Sequence, residues 1–313
     1  MIVVEVCVDS PAGVAAALRG GADRIELCSA LALGGLTPSP GLIAEARRAV
    51  DAHAAAAAAA DGAPSAKRPE LVVLIRPRPG DFVYDQCEAR VMLDDVAACA
   101  RLGADSVAIG ALAPARRHGS EEWTGGFVVD AALLARLALA ARAAALGPSC
   151  FHRAFDLVED RAAALETLIG VRPGGQEEEE AAALVGRVLT SGGAARAGDD
   201  DGCAAIAALV GQARGRGVEV VAAGGIRADN VAAVVARTGA RQVHSSALPS
   251  RGVVVERPWR RRTAAAAAAA AAAAVVGGAV LGSAGAEAQD EWRCADEGHV
   301  RELVREARRA AGG

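Results

Sequence analysis

Two short apolar runs near the start of the chain carry the same pair of reactive groups. Glu5-Val6-Cys7 and Glu26-Leu27-Cys28 each place a carboxylate two residues before a thiol. In a β-strand, residues i and i+2 face one side, so each acid shares a face with its thiol. About fifteen helix-compatible residues lie between the runs, enough for a crossover that makes the strands parallel neighbours. Two acids and two thiols then meet inside one sheet. Buried carboxylates need partners, and Arg24, Arg76 and Arg153 are the available ones.

Further polar residues recur at the ends of apolar runs. Arg76 closes Leu71–Ile75, His152 and Arg153 follow Ser149–Phe151, and Asp156 lies three residues beyond. Gly224-Gly225 follows Val218–Ala223, and His244-Ser245-Ser246 closes the last run. Glu5, Glu26, His152 and Asp156 are candidates for general acid–base work, with Arg76 and Arg153 holding a substrate or developing negative charge. Glycines let main-chain N–H groups approach an anion, so Gly224, Gly225 and Ser245 form a candidate grip for phosphate or carboxylate. Solvation of a rim is the simpler reading of charged strand ends, and helix–strand packing the simpler reading of the Gly-Gly turn.

These positions require a scaffold that gathers strand ends. Ser10-Pro11 starts a helix that Gly20-Gly21 ends. Strands are expected over 2–8, 24–28, 71–76, 106–110, 149–152, 187–190, 218–223 and 242–245, with helices between them. A closing helix over 296–310 carries Val300, Leu303, Val304 and Ala307 on one face. The echoes Gly21-Ala22-Asp23, Gly103-Ala104-Asp105 and Gly239-Ala240-Arg241 each read as helix stop, turn and strand start, as stacked βα units require. Eight such units give an α/β fold, a (β/α)₈ TIM barrel, with a doubly wound sheet as the rival. Catalytic groups of a barrel lie at the C-terminal strand ends, where the polar residues named above fall.

Composition narrows the function. The chain has 313 residues, 52% of them hydrophobic, which one barrel domain over 1–313 can use. The net charge of −4, spread basic residues and 3% aromatics argue against a nucleic-acid partner. Seven cysteines at irregular spacing, without a secretory signal, point to free thiols in a reducing cytoplasm. Loop-like insertions are expected at 61–68, 113–126, 172–180, 194–202 and 251–294, with His118 a surface histidine in the second. The last contains an alanine-rich low-complexity segment, Ala264–Ala286. It lacks the Leu, Ile and Phe content of an inserting helix, so no membrane contact is expected.

Taken together the blocks Glu5–Ser10, Gly21–Cys28, Gly34–Ser39, Ile75–Arg78 with Gly80-Asp81-Phe82, Phe151–Asp156, Val188–Gly192 and His244–Ala247 resemble the CutC copper-homeostasis family. The resemblance implies a TIM barrel, a cytoplasmic homo-oligomer and copper binding, with Cys7 and Cys28 matching the cysteines associated with the metal. Soft Cu(I) prefers such ligands, and His152 or His244 could complete a site. Two small buried apolar side chains is the alternative reading of these cysteines. The chain departs from the family after Ala247, where the alanine-rich insertion stands in place of a polar stretch. The second functional reading is a barrel enzyme acting on a small anionic ligand.

Overall fold

The computed structural model describes residues 1–61, 68–117, 120, 122–172, 183–247 and 295–312. Residues 1–247 with 295–313 form one compact unit. Residues 248–294 with Ala264–Ala286, most of the 61–68 and 172–180 insertions, and His118 lie outside the described residues.

Eight parallel strands close a barrel in the order β1 (Val3–Val8), β10 (Gln242–Ser245), β9 (Glu219–Ala223), β8 (Val185–Thr190), β7 (Ser149–Phe151), β4 (Ser106–Ile109), β3 (Glu70–Leu74) and β2 (Arg24–Leu27). Helices α1 (Pro11–Gly20), α2 (Pro40–Asp61), α3 (Gln86–Arg101), α4 (Ala131–Ala143), α5 (Arg161–Gly170), α6 (Asp200–Ala213), α7 (Val231–Thr238) and α8 (Glu297–Ala310) accompany them. The expected (β/α)₈ barrel is the fold. The caps follow local chemistry. Ser10 accepts from the Gly13 N–H at the start of α1, and Asp85 forms a capping box with Glu88 at α3. That box starts α3 at Gln86.

Residues 113–126 differ from a plain loop. Leu112–Arg116 (β5) and Trp123–Val129 (β6) pair antiparallel as a hairpin outside the barrel. Pro114 and a register shift between Pro114 and Arg116 interrupt the alternation, which is why the segment reads as loop. At 194–202 the turn ends in α6, which begins at Asp200.

Alternation assigns each strand residue to a layer. Val4, Val6, Ile25, Leu27, Leu71 and Val73 pack outward under the helices. Cys7, Cys28, Val72, Leu74, Ala108, Cys150, Leu189, Val221 and Ala223 pack together in a second, interior cluster. No helix among the described residues is long and apolar enough to cross a membrane.

Candidate functional site at the barrel mouth

Strand register decides which groups meet. On β1 and β2, Glu5 lies opposite Arg24, and Cys7 opposite Glu26. The two acid–thiol pairs are therefore staggered by one pleat rather than aligned, which puts a thiol beside a carboxylate. On the other side of β1, Glu5 lies opposite His244 of β10. Cys28, one pleat beyond Glu26, approaches Cys7 diagonally, with 3.7 Å between the sulfurs. Cys7, Glu26 and His244 each offer a ligand atom within 4.8 Å of the others.

The electrostatics of this centre are divided. His244 Nδ1 lies 2.6 Å from Glu5 Oε1, and Arg24 donates to Glu5 Oε2 at 3.4 Å. Burial alone would raise the Glu5 pKa, but the His244 hydrogen bond and the charges of His244, Arg24 and Arg187 pull it down to about 2. Burial likewise opposes a charged His244, yet Glu26 and Glu5 outweigh it and hold its pKa above the ordinary value. Glu26 is pushed the other way. Burial raises its pKa, the charge of Glu5 adds to this, and its Oε2 has no hydrogen-bond partner among the described residues. The Cys7 thiol is raised well above its usual range by the Cys28 contact, by burial and by the charge of Glu26.

Below the centre the barrel interior is ionic. Arg24 Nε donates to Glu70 at 2.7 Å and its Nη1 to Gln242 at 2.9 Å. Arg187 Nη2 donates to Glu70 and to the Ser106 hydroxyl, both at 2.9 Å. Arg24 is thus a carboxylate partner, as expected. Glu70, Arg187, Gln242 and the Glu5–His244 pair were not singled out from the sequence. Stepping back by two from each mouth residue would have found them: Ser191 leads to Leu189 and Arg187, and Ser246 to His244 and Gln242.

The remaining sequence candidates fall into two groups. Arg76 is buried and spent on structure, because its Nη1 donates to the carbonyls of Leu33 and Gly35 and its Nη2 to Gly80. Its guanidinium also stacks 4.7 Å from the Phe82 ring centre. His152 caps a 3₁₀ turn over Arg153–Leu157 by accepting from the Ala154 N–H at Nδ1. Gly110 at the end of β4 leaves the room its ring occupies. Burial, with Arg76 nearby, lowers its pKa to about 3, so it is neutral, and Nε2 has no partner among the described residues. Asp156 accepts from Thr190 Oγ1 at 2.6 Å, from the Ser191 N–H and hydroxyl, and from Arg153 Nε at 2.8 Å. Ser245 donates its hydroxyl to the Ile226 carbonyl at 2.7 Å and accepts from the Ala247 N–H at 3.0 Å. These groups tie the mouth loops together.

Gly224 and Gly225 form the turn after β9, both with positive φ, +97° and +71°. Ser191 and Arg153 crowd the position a Gly224 Cβ would take, and Arg196 that of a Gly225 Cβ. Glycine is the residue this turn accepts.

Comparison with known proteins gives a consistent answer. The model of the CutC family matches residues 2–248. A CutC family protein of Caulobacter vibrioides (strain NA1000 / CB15N) is 40% identical over 245 residues, covering 78% of this chain and 81% of that one. A CutC family protein of Xylella fastidiosa (strain Temecula1) is 41% identical over 254 residues, 81% of this chain and 77% of its own. Among solved structures, one of CutC from Streptococcus agalactiae, provisionally assigned to copper homeostasis, superposes with a TM-score of 0.62 at 27% identity, covering 79% of this chain and 99% of that one. With the barrel, the paired strand motifs and these relatives in agreement, the chain belongs to the CutC family.

Proposed function

We propose that this chain binds copper(I) as cargo through Cys7 and Cys28, in a reducing cytoplasm and as a homo-oligomer, within the copper homeostasis after which its family is described. The observation that carries the reading is the 3.7 Å between the two buried sulfurs. A thiolate-bound metal ion of this size sits about 2.3 Å from sulfur. Two sulfurs so spaced then subtend roughly 105–110° at one ion, which suits three or four ligands better than a linear pair. Glu26 and His244, whose ligand atoms lie within 4.8 Å of that of Cys7, are the further donors of this reading. Thiolates are the ligands, so binding releases thiol protons and affinity rises with pH. A Cu(I) competition titration of the wild type and of a Cys7→Ser/Cys28→Ser double variant tests the site. Loss of tight binding in the variant is expected, and equal affinity in both removes the assignment.

A second reading rests on a different observation. Glu5 and Glu26, on adjacent strands, have pKa values driven in opposite directions. Two acids separated in this way supply one group that holds a proton and one that remains ionised. With His244 between them they form a proton-transfer centre for a small anionic substrate. An ordinary Glu26 pKa would remove this reading and leave the copper site untouched.

A further inference from the structure

The turn after β9 carries more donor capacity than its own fold uses. The main-chain N–H groups of three successive residues, Gly224, Gly225 and Ile226, find no acceptor among the described residues. Arg153 spends Nε on Asp156 and Nη2 on Ser191. Its third guanidinium nitrogen, Nη1, lies over Gly224, 3.4 Å from where a Cβ would stand. Arg196 lays its aliphatic stem on Gly225, with Cγ 3.2 Å from the corresponding position. It is exposed, and its guanidinium makes no ion pair among the described residues. Asp156 pairs with Arg153 at 2.8 Å and offsets its charge, so the uncompensated positive charge of this corner, among the described residues, is that of Arg196.

Consecutive N–H groups in such a turn form a concavity suited to an anion, and guanidinium forks match tetrahedral oxyanions. We infer that Gly224, Gly225 and Ile226, with Arg153 and Arg196, bind the phosphoryl group of a small phosphorylated molecule. The pocket adjoins the proton-transfer centre, because Ala223, the residue before Gly224, lies opposite His244 in the barrel sheet. A molecule anchored here by its phosphate would extend its other end toward His244, Glu26 and Cys7. Ser245, whose hydroxyl already joins β10 to Ile226, serves as a brace for the pocket.

This inference deepens the acid–base reading and is independent of copper. Its test measures binding alone, so it is decided separately from any turnover. Inorganic phosphate is titrated into the full chain while the amide resonances of Gly224, Gly225 and Ile226 are followed by NMR. The three amides are expected to shift together along one saturation curve, with Arg153→Gln and Arg196→Gln each weakening binding about tenfold. Arg196→Gln leaves the Arg153–Asp156 pair in place, so it decides the matter if Arg153→Gln does not fold. Acetate is expected to bind about tenfold more weakly than phosphate, as loss of one charge-assisted contact implies. Amides that do not respond to phosphate, or affinity unchanged in Arg196→Gln, would overturn the site. Acetate binding as tightly as phosphate would overturn the phosphoryl assignment.

Discussion

Glu26 is the residue on which the two functional readings diverge. It sits in the barrel wall opposite Cys7, buried, with one carboxyl oxygen unpartnered among the described residues. A buried polar atom left unpaired costs about 1–3 kcal/mol, and burial of the ionised form adds to that cost. A raised folded pKa means that folding favours the protonated acid, so its stability contribution is lost as pH rises through that pKa. The Glu26 carboxyl carbon, followed by NMR, is expected to titrate above the ordinary range near 4.5. Glu26→Gln is expected to raise the melting temperature at neutral pH, by roughly 2–4 °C per kcal/mol recovered. An ordinary pKa, or a lower melting temperature, would mean that Glu26 has a partner when ionised. The residue pair Glu26–Cys28 was plain in the sequence. The stagger that sets Glu26 against Cys7 was not, because alternation gives the face a residue occupies and not the register between strands.

At the scale of elements, the loops decide access to the thiols. The segment after β2 folds over Cys28, with Gly35 at φ +86° and the site of its missing Cβ 3.4 Å from Cys28 Cβ. Arg76, at the end of β3, clamps this loop through the Leu33 and Gly35 carbonyls and packs on Phe82. The sequence marked Arg76 as a mouth residue correctly, but its type suggested a substrate contact. The tertiary structure gives its Nη1 and Nη2 to three carbonyls and leaves Nε without a partner among the described residues. Arg76→Met keeps the stem and removes those bonds, each worth about 1.5–3 kcal/mol for a charged donor. In a Cys87→Ser/Cys294→Ser background, which removes the exposed thiol among the described residues and the one outside them, labelling of Cys28 by a thiol reagent is expected to accelerate about tenfold or more. An unchanged rate would show that the loop is held by its own glycine turn and Leu36 rather than by the arginine. The strands and helices themselves were largely readable, since each has a cap, a glycine stop or a clear apolar period. The β5–β6 hairpin was not, because Pro114 breaks the pattern that would have announced it.

Across the whole molecule, the barrel is closed partly by charge. Glu5, Arg24, Glu70, Ser106, Arg187 and Gln242 come from six of the eight strands and form one network inside the wall. Burial alone would raise the Glu70 pKa, but the charges of Arg187 and Arg24 and its hydrogen bonds lower it, as His244 and Arg24 do for Glu5. A depressed carboxylate pKa gives stability that is present above the unfolded value and lost as pH falls through the folded one. For Glu5 that window runs from about 4.5 down to about 2. His244 and Glu26, both raised, act in the opposite sense and withdraw stability as pH rises. Folding stability is therefore expected to peak between these limbs, in mildly acidic solution. Glu70→Gln separates the contributions. It leaves Arg24 and Arg187 without their shared carboxylate; breaking a fully buried pair from one side costs about 3–5 kcal/mol, and this half-buried acid sets a smaller loss. Urea unfolding of this variant should show that loss at neutral pH and a shallower decline toward pH 3 than the wild type. If Glu70→Gln matched the wild type at neutral pH, the network would be filling the barrel without holding it closed, and stability would rest on the apolar layer beneath the helices.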